Sequence, residues 1–233
     1  MRHLVLAALV VSTLIIGTVA VQADFLTFES NHPGVTHGDW NDTLYMRMFD
    51  TKWGTLNRVE INLYGHVEGS SMVENLGGTA RSITSRLEAT LTLTDPTTGN
   101  LIVNVLPYAT KTDLVPNYDG TTDYEGTDTV IHSALAGNLS NAFTSTDAYY
   151  LDLFTGAGGY QLLGTGLESF GSSSATGSST MQSRFDSSSS AYATVTYYYD
   201  PVPEPGTMAL MGLGLVGFAG AWRRRRRALR DVA

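Results

Sequence analysis

Residues 58–68 read Arg-Val-Glu-Ile-Asn-Leu-Tyr-Gly-His-Val-Glu. In an extended chain Val59, Ile61, Leu63 and Val67 fall on one side, and Glu60, Asn62, Tyr64, His66 and Glu68 on the other, because strand side chains alternate with a period of two. A helix would scatter the same residues around its axis, so the stretch predicts a half-buried β-strand. Downstream, Leu87, Ala89, Leu91 and Leu93 alternate with Glu88, Thr90, Thr92 and Thr94. Asp95-Pro96-Thr97-Thr98-Gly99-Asn100 then supplies turn residues ahead of the apolar run 101–106, so residues 86–106 predict a β-hairpin. Residues 192–199 alternate again, with Val195, Tyr197 and Tyr199 on the core side and Tyr192 and Tyr198 facing outward.

Several such strands within 24–200 predict an all-β domain, an antiparallel β-sandwich. From Gly171 to Ser190 the chain is dominated by Gly, Ser and Thr with little to bury, and it is expected to be a loop rather than a polar edge strand. No repeat of 20–50 residues is present, which argues against a solenoid or propeller. The sequence contains no cysteine, so there is no thiol nucleophile, no disulfide framework and no thiolate metal site, and stability must come from a packed core.

Charge is distributed unevenly. Residues 24–200 hold seven Lys and Arg against 20 Asp and Glu, a net charge of −13, while Arg223–Arg227 and Arg230 crowd the C-terminal end. So acidic a body repels phosphate backbones and anionic lipid, which argues against nucleic acid as a partner.

The two ends share a logic. Met1, Arg2 and His3 precede a largely apolar run, Leu4 to Val21, that closes on Val21-Gln22-Ala23. Small residues at those positions suit signal peptidase, so residues 1–23 are expected to be a signal peptide cleaved between Ala23 and Asp24; an uncleaved anchor is the alternative. At the other end, Val202-Pro203-Glu204-Pro205-Gly206 must be extended, because each proline fixes its φ and removes a donor. Thr207 to Trp222 follows without a charge. Its 16 residues reach roughly 24 Å as a helix, short of a hydrocarbon core of about 30 Å. The arginine block Arg223, Arg224, Arg225, Arg226 and Arg227 would stay cytoplasmic as a stop-transfer signal, leaving the body outside.

The order of proline handle, short apolar helix and terminal arginine cluster resembles the PEP-CTERM sorting signal of Gram-negative bacteria. Val202, Pro203, Glu204 and Pro205 match its motif, Met208 to Trp222 its transmembrane helix and the five arginines its end. The resemblance implies recognition by an exosortase, a membrane transpeptidase-like enzyme often encoded beside exopolysaccharide genes. A cell-wall signal of the Leu-Pro-x-Thr-Gly type is absent, and a GPI signal would lack the basic block. Phe49-Asp50-Thr51-Lys52-Trp53-Gly54-Thr55-Leu56, leading into the strand at 58–68, is similar to the choice-of-anchor E family of bacterial surface domains. Lys52 and Trp53 depart from its usual small and aliphatic residues, and the family carries no assigned chemistry. The chain thus divides into a signal peptide (1–23), a β-sandwich surface domain (24–200) and a sorting signal (201–233).

Candidates for chemistry in the body are few. His32, His37 and Asp39 lie close in sequence, but Pro33-Gly34 forbids the helical spacing of a zinc protease, so a polar loop is the plainer reading. Asp119, Asp123, Glu125 and Asp128 crowd one Gly/Thr-rich loop, a candidate calcium site set against a solvated acidic loop. No Gly-x-Ser-x-Gly elbow or phosphate-binding glycine loop is present, and 20 acids make any carboxylate pair unspecific, so an enzyme is not expected. Tyr149, Tyr150, Tyr197, Tyr198, Tyr199 and Trp53 offer aromatic faces to sugars, and the outward Tyr192 and Tyr198 are the better placed.

The expected protein is exported across the inner membrane, transiently anchored, sorted by exosortase and finally displayed on the cell surface or in the extracellular matrix. There it would be non-catalytic, without a required cofactor, and associated with exopolysaccharide. A carbohydrate- or calcium-binding adhesin domain is the alternative, and a secreted hydrolase the third. Peptide mass mapping of the exported protein should find Asp24 as its first residue, and recovery of peptides from residues 1–23 would refute cleavage there.

Overall fold

The computed structural model describes residues 24–157, 162–202, 212–219 and 222. The expected signal peptide, the handle residues Pro203, Glu204 and Pro205, and Arg223–Arg227 lie outside these. The chain runs through β1 (Asp24–Glu29), β2 (Thr36–His37), β3 (Trp40–Arg47), β4 (Phe49–Asp50), β5 (Gly54–Asn75), β6 (Arg81–Thr94), β7 (Leu101–Val105), β8 (Tyr108–Val115), β9 (Thr129–Ser145), the short helix α1 (Ala148–Leu153), β10 (Thr155–Gly156), β11 (Leu162–Thr176) and β12 (Met181–Pro201). Two antiparallel sheets hold most of them. The first has the order β1-β12-β5-β9, with β2 also on β12; the second has the order β3-β11-β6-β7, with β8 also on β6. β4 and β10 form a small parallel pair.

The alternation predicted for 58–68 is present in β5, where buried and partly exposed residues take turns from Val59 to Val67. Val59, Ile61, Leu63 and Val67 are buried, and Ile61 pairs with Val195 and Leu63 with Ala193 of β12. From the second sheet Leu87, Ala89, Leu91, Leu93, Val105 and Leu167 join them in one core. Each fully buried aliphatic side chain contributes roughly 1.5–3 kcal/mol. The two sheets pack closely at Gly65, where a Cβ would stand 2.5 Å from Leu91 Cδ1 and 2.8 Å from Val105 Cγ1. Any larger residue there would force the Leu91 and Val105 side chains to move.

The predicted hairpin is present: β6 pairs antiparallel with β7, Leu91 opposite Val105. Asp95 closes the turn by accepting from Thr97 N at 2.7 Å and Thr98 N at 3.3 Å. The loop expected from Gly171 to Ser190 is not. Gly171–Thr176 continue β11 along β6, and Met181–Ser190 begin β12 along β5, with residues 177–180 between. Ser and Thr bury little, but partner strands supply the backbone bonds, and tertiary contacts use the hydroxyls. Ser189 Oγ accepts from Trp40 Nε1 at 2.8 Å and meets Ser169 Oγ at 2.7 Å.

Edge strand β3 is protected by a side chain. Asn31 donates to Thr43 O at 3.1 Å and accepts from Tyr45 N at 2.7 Å. Its amide thereby imitates one rung of a neighbouring strand, which blunts an edge that would otherwise invite another chain.

Near one end the core is interrupted by polar groups. Along β5 and β6, Ser71 and Ser85 separate the main core from a smaller cluster of Val73, Ile83 and Val115. His132 of β9 pairs with Ser71 in register and places Nε2 3.0 Å from Asp113 Oδ2 of β8. Burial pushes the His132 imidazole below its ordinary value; Asp113 opposes that shift and Lys111 adds to it. The unfolded chain therefore takes up this proton first as pH falls. Stability linked to His132 is complete above the ordinary histidine value, about 6.5, and declines as pH drops through it toward the lower folded value. Thermal melts between about pH 8 and 5 should show a steeper acid-side fall for the parent than for His132→Gln. Parallel curves would remove His132 from the account.

Candidate functional site

The segment expected to direct sorting begins where β12 ends. β12 stays paired with β5 to its last residue, Tyr199 opposite Leu56, Asp200 opposite Thr55 and Pro201 opposite Gly54, after a bulge at Tyr198/Tyr199. Proline is tolerated at that terminal position, where no further ladder donor is required. The ladder is then continued by one bond, Val202 N to Trp53 O at 3.2 Å.

An aromatic cluster holds this end. Phe49 meets Trp53, Tyr197 and Tyr199 at centroid distances of 5.3–5.7 Å. Phe28 stacks on Trp53 at 5.9 Å, and the Arg47 guanidinium lies 4.6 Å from the Phe28 ring centre. Tyr197, wholly buried, donates its hydroxyl to Arg47 O at 2.6 Å, and burial drives its phenol far above the ordinary tyrosine range. The folded body therefore continues to the residue preceding Pro203. Of the predicted helix Met208 to Trp222, residues 212–219 and Trp222 are described and are helical, with Leu213, Val216 and Phe218 exposed. Among the described residues no helix is long and apolar enough to cross a membrane.

On the outer face of the first sheet a groove of about 640 Å³ is lined by His32, Tyr64, His66, Asn138, Ser140 and Tyr192. Tyr64 and Tyr192 are cross-strand partners whose rings stack at 4.8 Å and 12°, and His32 stacks on Tyr192 at 4.3 Å and 13°. On its other side Tyr64 faces Ser140 of β9, a small residue. His66 Nδ1 meets Asn138 Oδ1 at 2.7 Å, and its Nε2 meets Glu68 Oε2 at 3.1 Å. The groove thus combines aromatic surface with hydrogen-bonding side chains.

Of the aromatics singled out in the sequence, only Tyr192 lines it. Tyr198 is occupied by Arg58, 3.7 Å over its ring, and by Phe25. Tyr149 donates to Asp95, Tyr150 packs on Phe143, and Trp53 belongs to the exit cluster. Tyr64 and His32 were missed as aromatic partners. Tyr64 was detectable as the aromatic residue on the polar face of 58–68, whereas His32 reaches Tyr192 from a loop and is placed by the fold alone.

His32, His37 and Asp39 do not converge. His32 Nε2 lies 2.6 Å from Glu29 Oε1, His37 Nδ1 lies 3.2 Å from Asp186 Oδ1 and 3.0 Å from Ser188 Oγ, and Asp39 accepts from Gly171 N. The Ser188–His37–Asp186 grouping is not a nucleophile relay, because both oxygens meet the same ring nitrogen. The acidic loop is partly drawn together: Asp119 N donates to Asp128 Oδ2 at 2.9 Å, while Asp123 Oδ1 accepts from Glu125 N at 2.9 Å. Glu74 of β5, absent from the sequence candidates, reaches the same loop by accepting from Asp123 N and Tyr124 N.

A family model described as the PEP-CTERM protein-sorting motif matches residues 201–226, from the last residue of β12 into the arginine block. No curated protein matches the chain. Among solved structures, one of the infectious bursal disease virus Gx strain is 12% identical, covering 84% of this chain and 48% of that one, with a TM-score of 0.16. A crystal structure of the infectious bursal disease virus VP2 subviral particle is 11% identical, covering 91% and 55%, with a TM-score of 0.14. The chain spans about half the length of these structures. The protein carries a PEP-CTERM sorting motif, the mark of an exported substrate of exosortase that resides transiently in the membrane before surface display.

Proposed function

We propose that the protein is a non-catalytic component of the cell surface or extracellular matrix of a Gram-negative bacterium, associated with exopolysaccharide. Signal peptidase would release residues 1–23, residues 24–200 would act outside the cell as a β-sandwich, and exosortase would process the tail. The observation that carries this reading is the match over 201–226 joined without a linker to β12, whose end is held by Trp53 and Gly54. The likeness of residues 49–56 to choice-of-anchor E domains supports the same surface setting, and the acidic body suits a partner other than nucleic acid. Replacing Pro203-Glu204-Pro205 with alanines should leave export intact and accumulate full-length chain in the inner membrane. Mass spectrometry that instead finds the parent protein at its final location with residues 208–222 in full abundance would overturn sorting.

The outer groove favours a second reading, a carbohydrate-binding surface domain. A pyranose presents an apolar ring face and a rim of hydroxyls, and Tyr64 offers a flat face beside His66, Asn138 and Ser140. Binding of the exported protein to its own cell-surface polysaccharide should weaken about three- to tenfold in Tyr64→Ala, the equivalent of roughly 0.5–1.5 kcal/mol. Undiminished binding would exclude this groove.

A further inference from the structure

We propose that the protein binds one calcium ion beside Gly126, between the carboxylates of Asp119 and Asp128. The starting observation is buried negative charge without a basic partner. Glu74 and Asp128 have no exposed surface, and neither joins an ion pair with Lys, Arg or His among the described residues. Glu74 is satisfied by backbone donors, Asp123 N at 3.3 Å and Tyr124 N at 3.1 Å. Asp128 is only half satisfied. Its Oδ2 accepts from Asp119 N at 2.9 Å, whereas its Oδ1 is buried and accepts no hydrogen bond. A carboxylate oxygen withdrawn from water is strongly disfavoured unless it is hydrogen-bonded, paired or bound to a metal.

Asp119 borders the same space. Its Oδ1 accepts from Thr121 N and Thr121 Oγ1, both at 2.9 Å, and its Oδ2 lies toward Gly126. A Cβ on Gly126 would stand 2.3 Å from Asp119 Oδ2 and 3.4 Å from Asp128 Oδ1. The remaining oxygens of both carboxylates therefore flank the room left by the missing side chain. Gly126 also has φ +80°, in the left-handed region that glycine adopts without strain. Two anionic oxygens sharing one space repel, and a cation between them turns that repulsion into attraction.

The donors are all oxygen, which suits a hard cation. Calcium accepts irregular shells of six to eight oxygens, whereas magnesium demands near-ideal octahedral geometry. No three His, Asp or Glu side chains converge as a metal-holding group among the described residues. The protein would thus supply two carboxylates, with backbone carbonyls and water completing the shell. So few charged ligands imply a weak site of the extracellular kind, with Kd on the order of 10⁻⁴–10⁻³ M. Asp123 and Glu125, candidates on sequence, are exposed and stay outside it. The ion would tie the 118–128 loop to the end of β5, where Asn75 N already bonds Asp128 O and Tyr118 N bonds Gly77 O.

The test is calcium titration of the exported protein after EGTA treatment, followed by calorimetry and thermal melting. One site should appear, with Tm rising by about 3–6 °C at about 10 mM Ca²⁺ and less with Mg²⁺. Asp128→Asn should abolish the response, as should Asp119→Asn, which alters an exposed residue and so keeps the test valid if the first variant does not fold. Asp123→Ala should respond as the parent does. A parent whose Tm and heats are unchanged by calcium overturns the proposal, as does a full response in Asp119→Asn or loss of the response in Asp123→Ala.

Discussion

The pairing of β5 with β12 is the constraint on which the rest of the structure depends. It runs along β12 from Met181 opposite Asn75 to Pro201 opposite Gly54, with one bulge at Tyr198/Tyr199. Strands this long commit both of their faces at once, because the period of two sends alternate residues to opposite sides. Val59, Ile61, Leu63, Ala193, Val195 and Tyr197 thereby enter the core together. Tyr64 and Tyr192, of the opposite parity, are brought face to face outside it. A slip of one residue in this register would exchange the core for the groove.

The same ladder links the body to its tail. Its last rungs sit inside the aromatic cluster of Phe49, Trp53, Tyr197 and Tyr199, so the chain leaves the domain from a rigid point. The sorting motif matched over 201–226 starts at that point. A membrane enzyme acting on the handle must work close to the folded surface, since each residue of extended chain adds only about 3.5 Å of reach.

The other end of β5 has a different character. There the alternation yields to polar groups: Ser71 beside His132, Glu74 under the acidic loop, and Asn75, whose amide donates to Pro116 O at 2.7 Å and Thr79 O at 2.9 Å. Backbone donors and acceptors, with few apolar contacts, hold the long connection between β8 and β9. Hydrogen bonds of this kind give modest net stability but are costly to leave unmade. This end therefore depends on complete pairing, and Asp128 Oδ1 is one of the buried atoms, with Ser71 Oγ and Thr129 Oγ1, at which the pairing is incomplete.

Local pattern alone determined the strand character of 58–68, 86–106 and 192–199, the core assignment of Val195, Tyr197 and Tyr199, and the sorting signal, because each rests on short-range periodicity or on a contiguous motif. Tertiary structure decided what depends on partners distant in sequence. Gly171–Thr176 and Met181–Ser190 became strands because β6 and β5 offered backbone partners, which the composition of those segments does not encode. His32 joined Tyr192 because the loop after β1 folds over β12, and His37 joined Asp186 because β2 pairs with β12. Glu74 met Asp123 and Tyr124 across nearly fifty residues, and Asp128 was buried while Asp123 stayed exposed, although in sequence the loop carboxylates look alike. Alternation reveals which face of a strand a residue occupies; only the packed fold decides what that face meets.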